Sequence, residues 1–211
     1  MYEYVTDAEV SEYRGYCSEI LTELRDNLLE KEINTQFILV GSGARNMVMR
    51  NGDGPYDLDY NLKIINMPDS YWNNLGGLKN MIINELNRIV RGTWFSDGKD
   101  STSVITALIR DNSGVTFKFD IAIIGENSKG NYCRLIHDKS VIFGRFFWNE
   151  VPNSHNVKTK ADYIKKKGKW ILVRDKYRDL KNMYLARNDN NHPSFISYVE
   201  AVNAIYDKCH K

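Results

Sequence analysis

Apolar side chains at Val10, Tyr13, Cys17, Ile20, Leu21, Leu24 and Leu28 recur at helical spacing. They predict an amphipathic helix from about Asp7 to Lys31, with Asp7 as its N-cap and Asn34 as its stop signal. The run Phe37-Ile38-Leu39-Val40 then reads as a short strand, cut off by Gly41-Ser42-Gly43, with a brief helical turn over Ala44 to Arg50. After the turn signal Asn51-Gly52-Asp53-Gly54-Pro55, residues Tyr56 to Ile65 alternate as a strand does. A linker over Asn66–Asn74 precedes a second helix, about Leu75 to Arg91, with Leu78, Ile82, Leu86 and Ile89/Val90 on one side. Ser101–Arg110 and Val115–Ile124 flank Asp111-Asn112-Ser113-Gly114 and predict a β-hairpin. One or two short strands are expected within Cys133–Phe147. Helical spacing returns at Trp170, Val173, Tyr177, Leu180 and Tyr184. It returns again at Phe195, Tyr198, Val199, Val202, Ile205 and Tyr206, with Pro193 suited to a first turn. This order implies a mixed sheet with helices packed against it and a helical unit after it.

Composition narrows the class. At 211 residues the chain can bury a real core, and 42% hydrophobic with 27% charged residues is the balance of a soluble globular protein. No apolar run approaches the roughly 20 residues of a membrane span. Met1-Tyr2-Glu3-Tyr4 is neither basic nor followed by an apolar stretch, so no secretory signal is expected. Cys17, Cys133 and Cys209 are far apart and lack metal-ligand spacing, which suits reduced thiols and a cytoplasmic location.

Three carboxylates stand out against the hydrophobic pattern. Asp57 and Asp59 lie in Tyr56-Asp57-Leu58-Asp59-Tyr60, and Asp120 lies in Phe117-Lys118-Phe119-Asp120-Ile121. Carboxylates inside apolar, β-prone runs are costly to bury without a positive partner. Residues two apart on a strand share a face, so Asp57 and Asp59 are expected to project together while Leu58 and Tyr60 enter the core. Asp120 joins them if its strand lies alongside. Three such acids suit Mg²⁺ or Mn²⁺, shared with substrate phosphates, and a two-metal displacement. The strand end at Gly41-Ser42 fits the same task. Gly41 permits close backbone approach, exposed N–H groups can cradle phosphate, Ser42 can cap the turn, and Arg45 can pair with a phosphate. The absence of a Gly-x-x-x-x-Gly-Lys-Ser/Thr loop disfavours a P-loop ATPase.

From about Phe37 to Ile124, this combination resembles the DNA polymerase β-like nucleotidyltransferase superfamily. Its signature is a Gly-Ser turn after an apolar strand, an Asp-x-Asp strand, and a third acid on a following strand. Ser101–Thr106 is similar to the strand that precedes that third acid. Fourteen residues separate Ser42 from Asp57, longer than the usual pattern, with the excess assigned to the Asn51–Pro55 turn. The resemblance implies an α+β fold: a mixed β-sheet nucleotidyltransferase core with flanking helices and a C-terminal helical unit. It implies Asp57, Asp59 and Asp120 as metal ligands, with Asp120 also a base for an acceptor hydroxyl. Gly41 and Ser42 become the triphosphate-binding turn. The implied reaction moves an NMP from an NTP, with ATP the expected nucleotide, to a hydroxyl acceptor and releases pyrophosphate.

Charge adds a division along the chain. Residues 155–211 hold 13 Lys/Arg against 6 Asp/Glu, and residues 1–154 hold 16 against 21. The expected organisation is a catalytic core over 1–154 and a helical unit over 155–211. In relatives such a unit closes over the nucleotide or acceptor, which makes Lys165, Lys169, Arg174, Lys176, Arg178 and Lys181 candidates to meet a triphosphate or RNA backbone. Lys169 is the one carried into the nucleotide site. A small-molecule or protein acceptor is favoured over nucleic acid, because one short basic stretch is a modest footprint. Two rival readings are an antitoxin-like nucleotide-binding module without turnover and an RNA-binding protein. Arg187-Asn188-Asp189-Asn190-Asn191-His192 is similar to the Arg-x4-His motif of HEPN ribonucleases, but the segment is short for that domain and reads as a helix stop and turn. His137, His155 and His210 lack metal spacing and are expected to satisfy local hydrogen bonds.

Overall fold

The helical periods and strand alternation become six α-helices and nine strands in the computed structural model, which describes residues 1–111, 114–152, 154–189 and 192–210. Helix α1 spans Asp7–Leu29. Its cap is Thr6, whose hydroxyl accepts from the Glu9 N–H at 3.3 Å, and Asp7 instead lies in the first turn, where negative charge suits the helix dipole. Past its C-terminal end Glu32 takes a left-handed φ of 61°, while Ile33 N–H returns to the Leu28 carbonyl at 2.9 Å. Asn34 therefore opens strand β2 (Asn34–Val40) instead of ending the helix.

A 3-10 turn over Gly43–Arg45 follows, closed by Asn46 at φ 56°. The helical turn expected to Arg50 goes no further, because Met49–Asn51 extends into strand β3. Strand β4 (Tyr56–Asn66) leads to helices α2 (Asp69–Trp72) and α3 (Leu75–Val90). Strands β5 (Lys99–Asp100), β6 (Ile105–Asp111), β7 (Gly114–Glu126), β8 (Tyr132–Asp138) and β9 (Arg145–Glu150) complete the main sheet. The predicted β6–β7 pairing is antiparallel, with Asp111 opposite Gly114. The two central residues of that turn, Asn112 and Ser113, lie outside the described residues, as do Asn190 and Asn191 of the Arg187–His192 run.

The sheet order is β2-β4-β7-β6-β5, with β8 also pairing β7 and β9 pairing β8. The sheet is mixed: β4 runs parallel to β7 and the other pairs are antiparallel. One face carries the core. Leu58, Leu62, Phe117, Phe119, Ile121, Ile105 and Ala107 are fully buried there, beneath Leu24 and Leu28 of α1 and Leu78, Ile82 and Leu86 of α3. The alternation that drives these residues inward sends their neighbours to the opposite face.

By Cα proximity the chain divides into two compact units. One holds residues 5–48 and 53–151, which includes the sheet just described. The other holds residues 1–4, 49–52 and 152–211. In this second unit are helices α4 (His155–Lys166), α5 (Trp170–Ala186) and α6 (Ser194–His210), with strand β1 (Tyr2–Tyr4) paired antiparallel to β3. Tyr2 and Asn182 exchange hydrogen bonds at 2.6 and 3.1 Å, and the Tyr4 hydroxyl donates to the Arg174 carbonyl at 2.7 Å. Among the described residues, no helix is long and apolar enough to cross a membrane.

Candidate active site

The acids meet because of strand register. On β4, Leu58 and Tyr60 are buried, so Asp57 and Asp59 share the opposite face, as the period of two predicts. Parallel pairing sets Asp59 directly beside Asp120 and Asp57 beside Lys118. On β7 the same alternation buries Phe117, Phe119 and Ile121 and turns Asp120 to the Asp59 side. One oxygen from each of Asp57, Asp59 and Asp120 lies within 4.8 Å of the others. Asp57 is exposed, and Asp59 and Asp120 are half-buried.

Such a cluster opposes its own ionisation. Burial, then the charges of Asp57 and Asp120, push Asp59 up from the ordinary 3.8 to about 7, although Arg134 and Arg45 pull the other way. Burial also raises Asp120, and Asp57 adds to it, against a hydrogen bond from the Thr106 hydroxyl and the charge of Lys118. Thr106 faces Asp120 across the β6–β7 pair and donates to its Oδ1, which fixes the carboxylate's orientation. The donor set consists of hard carboxylate oxygens that repel one another. It fits a hard divalent cation, which takes oxygen ligands and relieves the repulsion.

The Gly41-Ser42 turn abuts the same group. Gly41 has a φ of 62°, and a Cβ placed there would collide with Asp59 Oδ2, so both backbone conformation and space require glycine. Gly43 is buried, and a Cβ there would come within 2.9 Å of Leu58 and 3.0 Å of Leu39. Ser42 starts the 3-10 turn with helical backbone angles, and its side chain makes no capping bond. Its carbonyl closes the turn instead, accepting from Arg45 N–H at 3.1 Å and Met47 N–H at 3.0 Å. The expectation that its hydroxyl caps the turn is therefore corrected, and the reason is that Ser42 lacks the extended conformation of an N-cap. Arg45, at the end of the turn, is near enough to lower Asp59. The length assigned to the Asn51–Pro55 turn is spent partly on β3, whose residues Met49–Asn51 pair with β1.

Three residues of this face escaped the sequence reading. Thr106 sits in the stretch singled out before the third acid, but nothing marks it as a hydrogen-bond donor to that acid. Asn61 and Arg134 fall on the carboxylate face through the alternation of β4 and the register of β8. Lys169 lies at the N-terminal boundary of α5 in the helical unit. His137 does as expected, pairing with Asp100.

Paired acids on one strand, a third on its parallel neighbour and a glycine-serine turn before them are the parts that the family resemblance implies, brought together here on a mixed sheet. Among solved structures, the chain is similar to CdnC of E. coli MS115-1 with ATP, at a TM-score of 0.58 and 17% identity over 97% of this chain and 62% of that one. It is also similar to the Vibrio cholerae DncV cyclic AMP-GMP synthase in complex with the linear intermediate pppA(3′,5′)pG, at 0.57 and 10% identity, covering 84% and 62%. The Elizabethkingia meningoseptica CdnE cyclic dinucleotide synthase with GTP and Apcpp gives 0.54 and 12% identity, covering 94% and 75%. The chain thus spans about 62% of the length of the first two. No family model matches the sequence, and no curated protein does.

Proposed function

We propose that the protein is a metal-dependent nucleotidyltransferase that moves an NMP from an NTP to a hydroxyl acceptor and releases pyrophosphate. The observation that carries this reading is the convergence of Asp57, Asp59 and Asp120 within 4.8 Å, beside Gly41, where there is no room for a Cβ. In this reading the three aspartates hold Mg²⁺ or Mn²⁺, which would supply charge neutralisation at the reacting phosphate and the departing pyrophosphate. The Gly41-Ser42 backbone and Arg45 bind the triphosphate of ATP or another NTP. Asp120, oriented by Thr106, accepts the proton of the acceptor hydroxyl. That oxygen then bonds to the α-phosphorus as the bond to the β-phosphate bridge breaks, and pyrophosphate leaves with the electron pair. Catalysis is positioning and charge stabilisation.

Lys169 is proposed as a further cation for the triphosphate, on its charge and the family resemblance alone. The division of labour between a core over 1–154 and a helical unit over 155–211 is likewise part of the proposal. The acceptor is proposed to be a small molecule, a second nucleotide foremost. Support comes from the similar structures, two of which are of cyclic dinucleotide synthases and one of which holds a linear dinucleotide.

The test is incubation with each α-³²P-labelled NTP, singly and in pairs, with Mg²⁺ or Mn²⁺. Pyrophosphate release and phosphatase-resistant label are expected from the native protein, and at least a hundredfold less from Asp57→Asn. Transfer that is indifferent to chelator or unchanged in Asp120→Asn would show the site assignment to be wrong.

A further inference from the structure

The face that bears the carboxylates continues along β4 beyond them. Asn61 stands two residues past Asp59, about 7 Å along the strand, and its Cα partner on β7 is the small Ala122. Arg134 enters on β8 opposite Ile124, which shares the face of Asp120 and Ala122 because side chains alternate. Both side chains are half-buried, and each hides one polar atom that has no hydrogen-bond partner among the described residues. These atoms are Asn61 Oδ1 and Arg134 Nε. The next residue outward on this face of β4, Lys63, is committed elsewhere, to Glu126 Oε2 at 3.1 Å and to the Tyr132 hydroxyl at 3.4 Å.

A buried polar atom without a partner is unfavourable, and a ligand that supplies the partner recovers the loss. Arginine can only donate. The Asn61 amide offers a donor and an acceptor whichever way round it stands. The matching group must therefore both give and receive hydrogen bonds, and it must lie next to a phosphate bound at the aspartates. Arg134 is within electrostatic reach of Asp59, so the two sets of groups belong to one site. On a nucleotide, the group bonded to the α-phosphate is the ribose, and each of its hydroxyls donates and accepts.

We propose that Asn61 and Arg134 bind the ribose hydroxyls of the substrate nucleotide and make the site selective for ribonucleotides over deoxynucleotides. This rests on the nucleotidyltransferase reading and adds to it which part of the nucleotide lies beyond the acids. Asn61 and Arg134 are binding residues here, with no part in the proton transfer.

The experiment compares metal-dependent equilibrium binding of ATP, 2′-deoxy-ATP and 3′-deoxy-ATP to the native protein, Asn61→Ala and Arg134→Lys. Removing one hydroxyl is expected to weaken binding to the native protein about tenfold or more. Asn61→Ala should bind ATP about as weakly as the native protein binds that deoxy analogue, with most of the discrimination gone. Arg134→Lys keeps the charge and loses Nε, so it should also narrow the gap. The native-protein comparison needs no variant, so a variant that fails to fold does not remove the test. Equal binding of ATP and both analogues by the native protein overturns the proposal, as does discrimination unchanged in both variants. If the native protein binds no NTP with metal present, the nucleotidyltransferase reading itself fails and this inference falls with it. If it binds ATP and ignores the sugar, only the sugar reading fails.

Discussion

At Asp59 the strain of the site is concentrated in one ionisable group. Its neighbours on the sheet are acids, its approach to Gly41 leaves no room for a Cβ, and its carboxyl is raised to about 7. A carboxyl raised on folding stabilises the native state below its unfolded value near 3.8, and that contribution is lost as pH rises through about 7. Without metal, ionised Asp59 therefore weighs against folding at pH 8. Asp59→Asn removes the charge and with it this pH dependence. In EDTA, the Tm of Asp59→Asn relative to the native protein is expected to climb from pH 5 to about 7 and to level off by pH 8. Adding Mg²⁺ or Mn²⁺ at pH 8 should erase the advantage by stabilising only the native protein. Differential scanning fluorimetry across that range decides it: parallel pH curves for the two proteins would mean that Asp59 ionises without hindrance. Asp120, also raised by burial, moves in the same sense.

Among the elements, what was legible in the sequence followed the local periods. The 3.6-residue pattern located α1, α3, α5 and α6, and the period of two put Asp57 and Asp59 on one face. It did not disclose that β4 and β7 run parallel with Asp59 beside Asp120, because strand pairing depends on residues some sixty positions apart. Strands of two or three residues, β1, β3 and β5, carry too few positions to show a period. Helix α4 was hidden in a lysine-rich stretch that reads as a solvated surface. Lys79 misleads for the same reason. It lies on α3 at 2% exposure, donating to the Ser101 carbonyl at 2.6 Å and pairing with Asp100 Oδ1 at 2.6 Å, while His137 and Lys139 hold the other side of Asp100. This pair, buried at its lysine end and half-buried at Asp100, pins α3 to β5, and its two ends differ in what their loss leaves behind. Asp100→Ala strands an ammonium in the interior, a loss of about 3 kcal/mol or more. Lys79→Met keeps the volume and leaves Asp100 paired with Lys139 and bonded to His137 Nδ1, a loss nearer 1 kcal/mol. Urea unfolding should rank Asp100→Ala as clearly the less stable. Equal midpoints, or the reverse order, would show that Lys79 reaches water when its partner is removed.

The molecule as a whole carries a net charge of only +2, but its basic residues crowd into the stretch Lys158–Lys181, with ten Lys/Arg against three Asp. Taken as a count, that is enough to invite the RNA-binding reading. The structure shows where many of these cations already point. Lys165 sits over the Trp170 ring at 4.5 Å, Lys167 over Tyr163, Arg174 over Tyr4 at 4.3 Å and Lys181 over Tyr2 at 4.4 Å. Lys160 donates to Asn203 and lies over Tyr206, and Arg178 pairs with Asp175. Six of the ten are thus engaged within the helical unit, leaving Lys158, Lys166, Lys169 and Lys176 to meet external phosphates. Each phosphate neutralised on a single strand contributes about −0.7 to the slope of log K against log salt, so four contacts set a slope of about −3. RNA binding is therefore expected to be weak, with a slope no steeper than that, whereas ATP binding should depend on metal and on Asp57. Titration of a fluorescent oligouridylate from 50 to 300 mM salt measures the slope. A value near −6 or steeper would mean that the ring-bound cations leave their aromatic partners for the phosphate backbone, and RNA would then become the ligand that the basic stretch serves.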